Sequence, residues 1–208
     1  MSTDTELPRR ALIPLVVPPV TLEGRSVRLE PLRPEHAAPL ASLCEDEIFE
    51  FTSVALRTQE DLAAYIAGAL EAAGQGTEQP FFIRDRETGA PLGSTRYLAI
   101  SRHDRTLEIG YTWLAQRAWR TRVNTECKFL LLRHAFEQLQ VMRVQLKTDR
   151  RNARSRAAIE RMGAKFEGIL RNNMLVRDGV VRDSAYYSVI DTEWPEVKAR
   201  LEERLARE

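Results

Sequence analysis

The chain has 208 residues, 43% hydrophobic and 29% charged, enough length and apolar content for one soluble globular domain with a substantial core. With 31 basic residues against 30 acidic ones there is no global pull toward nucleic acid, so only local basic clusters carry meaning. Cys44 and Cys127 lie far apart and match no metal spacing, His36, His103 and His134 are scattered, and no apolar run is long enough to span a bilayer; this pattern argues against a metal centre and a membrane partner, and fits a reducing cytoplasm.

In chain order, ALIPLVVPPV is broken by Pro14, Pro18 and Pro19, which a signal-peptide core rarely tolerates. Residues 1–20 therefore read as an extended arm, packed on the domain or on a neighbouring subunit. Val27 to Glu30 is predicted as a first strand, and Pro34 opens a helix through about Leu43. The acidic stretch CEDEIFEFTSV reads as a loop with Phe49 and Phe51 placed to bury. Thr58 caps a helix with Leu62, Tyr65, Ile66, Ala69 and Leu70 at helical spacing, ended by Gly74. The run QPFFIRDRETGAPLGSTRYLAI is two strands around a turn near Thr88–Gly89, and a further strand runs from about Thr106 to Leu114.

A helix from about Asn124 to Gln140 carries a wide apolar face of Phe129, Leu130, Leu132, Phe136 and Leu139. The strand RVQLKTD follows with alternating Val144 and Leu146, then a helix from about Asn152 to Met162 closed by Gly163. Two long strands meet at Asp178–Gly179. The last amphipathic helix, 193–208, has Pro195 in its first turn. Neither a repeat nor a linker interrupts the chain, which reads as one α/β domain over 21–192 with the arm before it and the helix packed after it.

Chemistry concentrates in LEIGYTWLAQRAWRTRVNTE, which begins at Leu107. A strand runs into a loop carrying Arg117, Arg120 and Arg122, and the loop opens a helix. Such a hand-off gathers free backbone N–H groups and the positive end of a helix dipole, which suits an anion. Phosphate-cradling loops use glycine there for positive φ and close approach, and this loop has none. Arginine forks match phosphate geometry; a solvated basic loop is the equal alternative.

Strand alternation puts Leu107, Ile109, Tyr111 and Trp113 on one face and Glu108, Gly110, Thr112 and Leu114 on the other. Gly110 inside a strand indicates a bulge or close approach by a ligand. Glu108 on that face is either a solvated charge or a carboxylate placed to take a proton. Trp119 either packs or covers an apolar part of a ligand. At a second helix start, TDRRNARSRAAIERMGA, Asn152 is the N-cap and Ser155 lies one turn on, while Arg150, Arg151, Arg154 and Arg156 add positive potential.

The order EIGY, basic loop, long helix, RVQLKTD, then NARSRAAIERMGAKFEG resembles the GNAT acyl-CoA-dependent N-acetyltransferases, in particular the branch that includes the ribosomal-protein N-terminal acetyltransferases. The resemblance covers about Val27 to Ile190 and is strongest from Glu108 to Gly168. It implies a single α/β domain whose mixed central sheet, six to seven strands flanked by helices, is splayed at the fourth and fifth strands. It also implies acetyl-CoA as co-substrate with no metal. The pantetheine arm would pair with backbone at Trp113 and Leu114 as an added strand. The family pattern Arg/Gln-x-x-Gly-x-Gly/Ala falls on Arg117, Ala118, Trp119, Arg120, Thr121 and Arg122; the first position agrees and both glycine positions are arginine.

With Val123, Asn124, Asn152 and Ser155, these residues form the implied acetyl-CoA set. Glu108 falls where related enzymes supply a base, and Ser155 would protonate the departing thiolate. The implied reaction is direct attack of a primary amine, a protein N-terminus or a small molecule, on the thioester. The Asp178–Gly179 hairpin and the loop from Phe49 to Ser53 would wall the acceptor site, and CEDEIFE suits a cationic acceptor. A homodimer through the arm and the last helix is open. The alternatives are a GNAT-fold protein that has lost catalysis and serves in binding or regulation and, a distant third, a nucleic-acid binder using the arginines at 150–156.

Overall fold

A computed structural model of the protein describes residues 13–207. Alternation along the strands sets its layers: Phe81 and Phe82 are neighbours, yet Phe81 enters one core and Phe82 the other. The strands are β1 (Leu22–Glu23), β2 (Val27–Pro31), β3 (Gln79–Asp85), β4 (Pro91–Ser101), β5 (Thr106–Leu114), β6 (Arg143–Asp149), β7 (Lys165–Val176) and β8 (Val180–Ile190). They form one eight-stranded sheet in the order β1-β2-β3-β4-β5-β6-β8-β7. Only β5 and β6 run parallel among the paired neighbours. The sheet exceeds the expected six to seven strands; the two-residue β1 is too short for periodicity to register.

The helices are α1 (Ala37–Ala41), α2 (Asp46–Phe49), α3 (Gln59–Gly74), α4 (Arg122–Arg133), α5 (Ala153–Arg161) and α6 (Trp194–Arg207). Thr58 caps α3 as expected, in a reciprocal box with Asp61. One core, with Ile109, Leu130, Leu146 and Tyr187, takes in α4 and α6; the other, with Leu40, Leu62, Ile66 and Trp113, takes in α1 to α3.

Two local expectations are corrected. CEDEIFEFTSV is not a loop throughout: Asp46–Phe49 forms one helical turn, pinned by Phe49 against the Trp113 ring at 5.5 Å between centroids. The long helix starts at Arg122 rather than Asn124 because the Thr121 hydroxyl takes the N-cap, accepting from the Val123 N–H. It runs on through a π turn over His134–Gln138. Of the arm, residues 13–20 lie outside regular structure. Leu15 there is buried and its N–H donates to the Arg102 carbonyl, so this part of the arm packs on the domain. Residues 1–12 lie outside the described residues.

The sheet opens between β5 and β6. Their ladder has three rungs, Thr106 with Arg143, Leu107 with Val144 and Glu108 with Gln145, after which each strand runs on without the other. These correspond to the fourth and fifth strands of the expectation, displaced by one because β1 precedes them. A bulge accompanies the opening: Trp113 pairs with Ser94 and Gly110 with Arg96, so Tyr111 and Thr112 face the single residue Thr95, and Tyr111 takes a φ of 46°. A bulge bends its strand and adds twist, which carries β5 away from β6.

The bulge also corrects the strict alternation expected along β5. Leu107, Ile109 and Leu114 join one core, while Trp113 joins the other with Phe49. Thr112 bonds Thr95 and Lys128 of α4.

Candidate active site

Glu108 occupies the last rung before the strands part and is 2% exposed. Its carboxylate accepts from Gln145 Nε2 at 2.8 Å, and Lys147 Nζ stands 3.2 Å away. Both partners come from β6, where Gln145 and Lys147 alternate with buried Val144 and Leu146. The solvated-charge alternative therefore fails: this is a buried carboxylate matched by an ammonium and an amide. Gly110 leaves the room it needs, since a Cβ there would lie 2.9 Å from Glu108 Oε1 and 2.8 Å from Leu98 Cδ2. Gly110 thus serves both a bulge and a close approach, and the groups approaching it are Glu108 and Leu98.

At the corner from β5 to α4, Arg120 has a φ of 61°, the left-handed conformation for which glycine is usual. The conformation costs a non-glycine residue roughly 1–2 kcal/mol. Two of the three arginines have a carbonyl partner within the chain. Arg117 Nη2 donates to the Pro91 carbonyl, and Arg122 Nη2 donates to the Leu205 carbonyl at 3.2 Å. Arg120 is exposed at the turn itself. Ala118 and Val123 are buried beneath the corner, and Asn124 and Thr125 stand half-buried in the first turn of α4.

Trp119 packs against both cores, donates from Nε1 to the Leu114 carbonyl at 2.9 Å, and lies under the Arg154 guanidinium at 3.7 Å from its ring centroid. It therefore links the β5–α4 corner to α5 across the opening.

At the corner from β6 to α5, Asn152 Oδ1 accepts from the Ser155 N–H at 2.9 Å, and Ser155 is half-buried. The Asp149 carboxylate, 1% exposed, accepts from the Arg151 N–H at 2.8 Å and from its guanidinium at 3.0 and 2.8 Å. Burial alone would raise the Asp149 pKa; the Arg151 hydrogen bonds outweigh it and leave the carboxyl below its usual range. Arg150 pairs with Asp183 and Arg156 with Tyr187, so all four arginines of this segment have partners within the chain.

The hairpin between β7 and β8 meets the loop after α2. Arg177 Nη2 donates to the Glu50 carbonyl at 2.6 Å, and Arg182 Nη1 stands 3.5 Å from the Phe51 carbonyl. Arg182 is buried, which lowers its pKa against the opposing pull of Asp149 and Glu108. Gln145, Lys147, Asp149 and Arg182 were not singled out from the sequence. The signal for the first three lay in the alternation of RVQLKTD, whose second face is entirely polar. Among the described residues no cluster of histidine, cysteine and carboxylate side chains is arranged to hold a metal, and no helix is long and apolar enough to cross a membrane.

An open parallel pair in a mixed sheet flanked by helices, with a left-handed residue at the corner from β5 to α4, is the framework of an acetyltransferase domain. The chain belongs to the GNAT family: the sequence profile of the acetyltransferase (GNAT) domain matches residues 26–165. Among individual proteins it is similar to one of known crystal structure from T. thermophilus, described provisionally as an acetyltransferase, at 41% identity over 91% of this chain and 98% of that one, with a TM-score of 0.83.

YdaF of Bacillus subtilis (strain 168), named provisionally as a ribosomal N-acetyltransferase, is 36% identical over 106 residues. That match spans 51% of this chain and 57% of YdaF. Mycobacterium smegmatis RimJ in complex with CoA-disulfide shares the fold, with a TM-score of 0.74 at 23% identity over 88% of this chain and 93% of that one.

Proposed function

We propose that the domain transfers an acetyl group from acetyl-CoA to a primary amine by direct attack. The observation that carries this reading is the wedge between β5 and β6 with the buried Glu108 carboxylate at its apex. The stretch of β5 at Trp113 and Leu114, paired with β4 on one side and left by β6 on the other, offers backbone for the pantetheine arm. The loop Arg117 to Arg122 and the first turn of α4, with Val123 and Asn124, suit the pyrophosphate. Arg120 in the left-handed conformation lets the chain turn as a glycine would.

Glu108 takes the amine proton, directly or through one water, as the nitrogen attacks the acyl carbon. A backbone N–H of β5 holds the developing oxyanion. Ser155, set by the Asn152 cap, gives a proton to the departing sulfur. The acceptor is a protein N-terminus or a small-molecule amine; the name of YdaF supports the first, and the exposed Glu45, Asp46, Glu47 and Glu50 suit a cationic acceptor of either kind.

Thermal unfolding with increasing acetyl-CoA tests the reading. Saturation at a hundredfold over Kd stabilises by about 2.7 kcal/mol and raises Tm accordingly. An unchanged Tm at millimolar acetyl-CoA contradicts it, and binding without turnover on any amine favours the noncatalytic alternative.

A further inference from the structure

Lys128 stands in the middle of α4, seven residues past the Thr121 cap, in the apolar run CKFLLL, and is 6% exposed. Its Nζ donates to Thr112 Oγ1 at 2.6 Å, and that hydroxyl is already shared with Thr95 Oγ1 at 2.7 Å. An ammonium has three donors, and no carboxylate lies within ion-pair distance of this one among the described residues. A buried cation facing one neutral hydroxyl is poor packing; an apolar side chain of the same length would be better tolerated. The cost makes sense where a ligand supplies the missing negative charge.

The position indicates which charge. Thr112 lies on the stretch of β5 that β6 has left, just past the Tyr111 bulge. Glu108, at the last rung, stands on the same strand four residues before Thr112, the partner of Lys128. The base proposed above must stand beside the acyl carbon, so a cation within its reach stands near the bond that breaks. Ser155, by contrast, offers a hydroxyl and no charge.

We infer, resting on the acyl transfer proposed above, that the Lys128 ammonium is a catalytic group that receives the sulfur leaving group as a thiolate. The amine nitrogen bonds the acyl carbon and the C–S bond breaks with its electron pair staying on sulfur. The amine proton passes to Glu108. The thiolate is held by the remaining N–H donors of Lys128 and then takes its proton from solvent, directly or by way of the ammonium, which solvent reprotonates. Burial pulls the Lys128 pKa down to about 8, against the opposing charge of Glu108.

The test reads the thiol of bound CoA directly, by thiolate ultraviolet absorbance from pH 6 to pH 9, in the wild-type protein and in Lys128→Met. An adjacent cation is expected to lower the thiol pKa of bound CoA by about 1–3 units from that of free CoA, and Lys128→Met to abolish the shift. Desulfo-CoA, lacking the sulfur, should bind both proteins within about threefold of each other, while CoA binds the wild type about tenfold more tightly than the variant. Lys128→Gln gives the same readout if the methionine variant does not fold. A thiol that titrates alike in wild type and folded variant overturns the assignment while leaving acyl transfer standing. Failure of wild type to bind either ligand overturns both.

Discussion

At the β5–α4 corner the sequence is dense with positive charge; Arg117 and Arg122 each give one Nη2 donor to a carbonyl, of Pro91 and Leu205, and the turn is made by Arg120 in a glycine-like conformation. At the β6–α5 corner the polar side chains act locally instead: Asp149 grips Arg151, Asn152 caps Ser155, and Arg154 reaches back over Trp119. Both corners feed helices toward the same wedge. The first offers chiefly backbone and a helix start to a ligand; the second is built from side-chain contacts that fix the wall. The orientation of these guanidinium groups is therefore set in part by distant carbonyls of the chain.

The largest effect should come from neither corner but from the apex between them. Glu108→Gln keeps the Gln145 contact available yet removes the base, and kcat/KM should fall by about 10²–10⁴. Acetyl-CoA affinity should stay within about threefold by calorimetry. An active Glu108→Gln variant would move the chemistry away from the apex.

At the second corner, Asn152→Ala removes the cap on α5 and should cost about 1 kcal/mol in denaturant unfolding, with kcat falling because Ser155 loses its tether. Full stability together with full kcat would break the idea that local caps build this wall. At the first corner, Arg120→Gly relieves the left-handed strain and should stabilise by up to about 1 kcal/mol, with the larger freedom of glycine in the unfolded chain subtracting part of the gain. A destabilised Arg120→Gly would mean that its side chain holds the loop.

The smallest expected effect is a pH dependence. The Asp149 carboxyl titrates below its unfolded range, so its stabilisation is present above the ordinary carboxylate pKa and is lost as pH falls through the folded value. Unfolding of Asp149→Asn should therefore show a shallower loss below about pH 4. A wild-type-like acid limb in that variant would place the acid sensitivity elsewhere.

Much of this architecture is legible in the sequence. The bounds of β5 and β6, the Thr58 cap and the Asn152 cap follow from periodicity and short-range polar chemistry. The Tyr111 bulge does not, since no residue type announces a positive φ at a tyrosine, and one extra residue there reverses the face of everything that follows. The partners of Arg117 and Arg122 are illegible for a different reason: they are backbone carbonyls 26 and 83 residues away, which every residue type carries. Glu126 behaves alike, accepting from the N–H groups of Arg25 and Ser26 and so fastening α4 to the turn before β2. Lys128 was missed in the sequence, although a single cation within the apolar run CKFLLL was the signal that could have found it.

Calorimetric titration of acetyl-CoA into the wild-type protein and into the Arg117→Ala/Arg122→Ala double variant tests most directly whether the loop backbone, rather than its arginine forks, holds the pyrophosphate. Saturable one-site binding by both, with Kd values within about threefold, is the predicted result, since Nη2 of each removed arginine is held on a carbonyl of the chain and the loop backbone remains. No binding by the wild type, or a variant weakened by more than about tenfold while still folded, would contradict it.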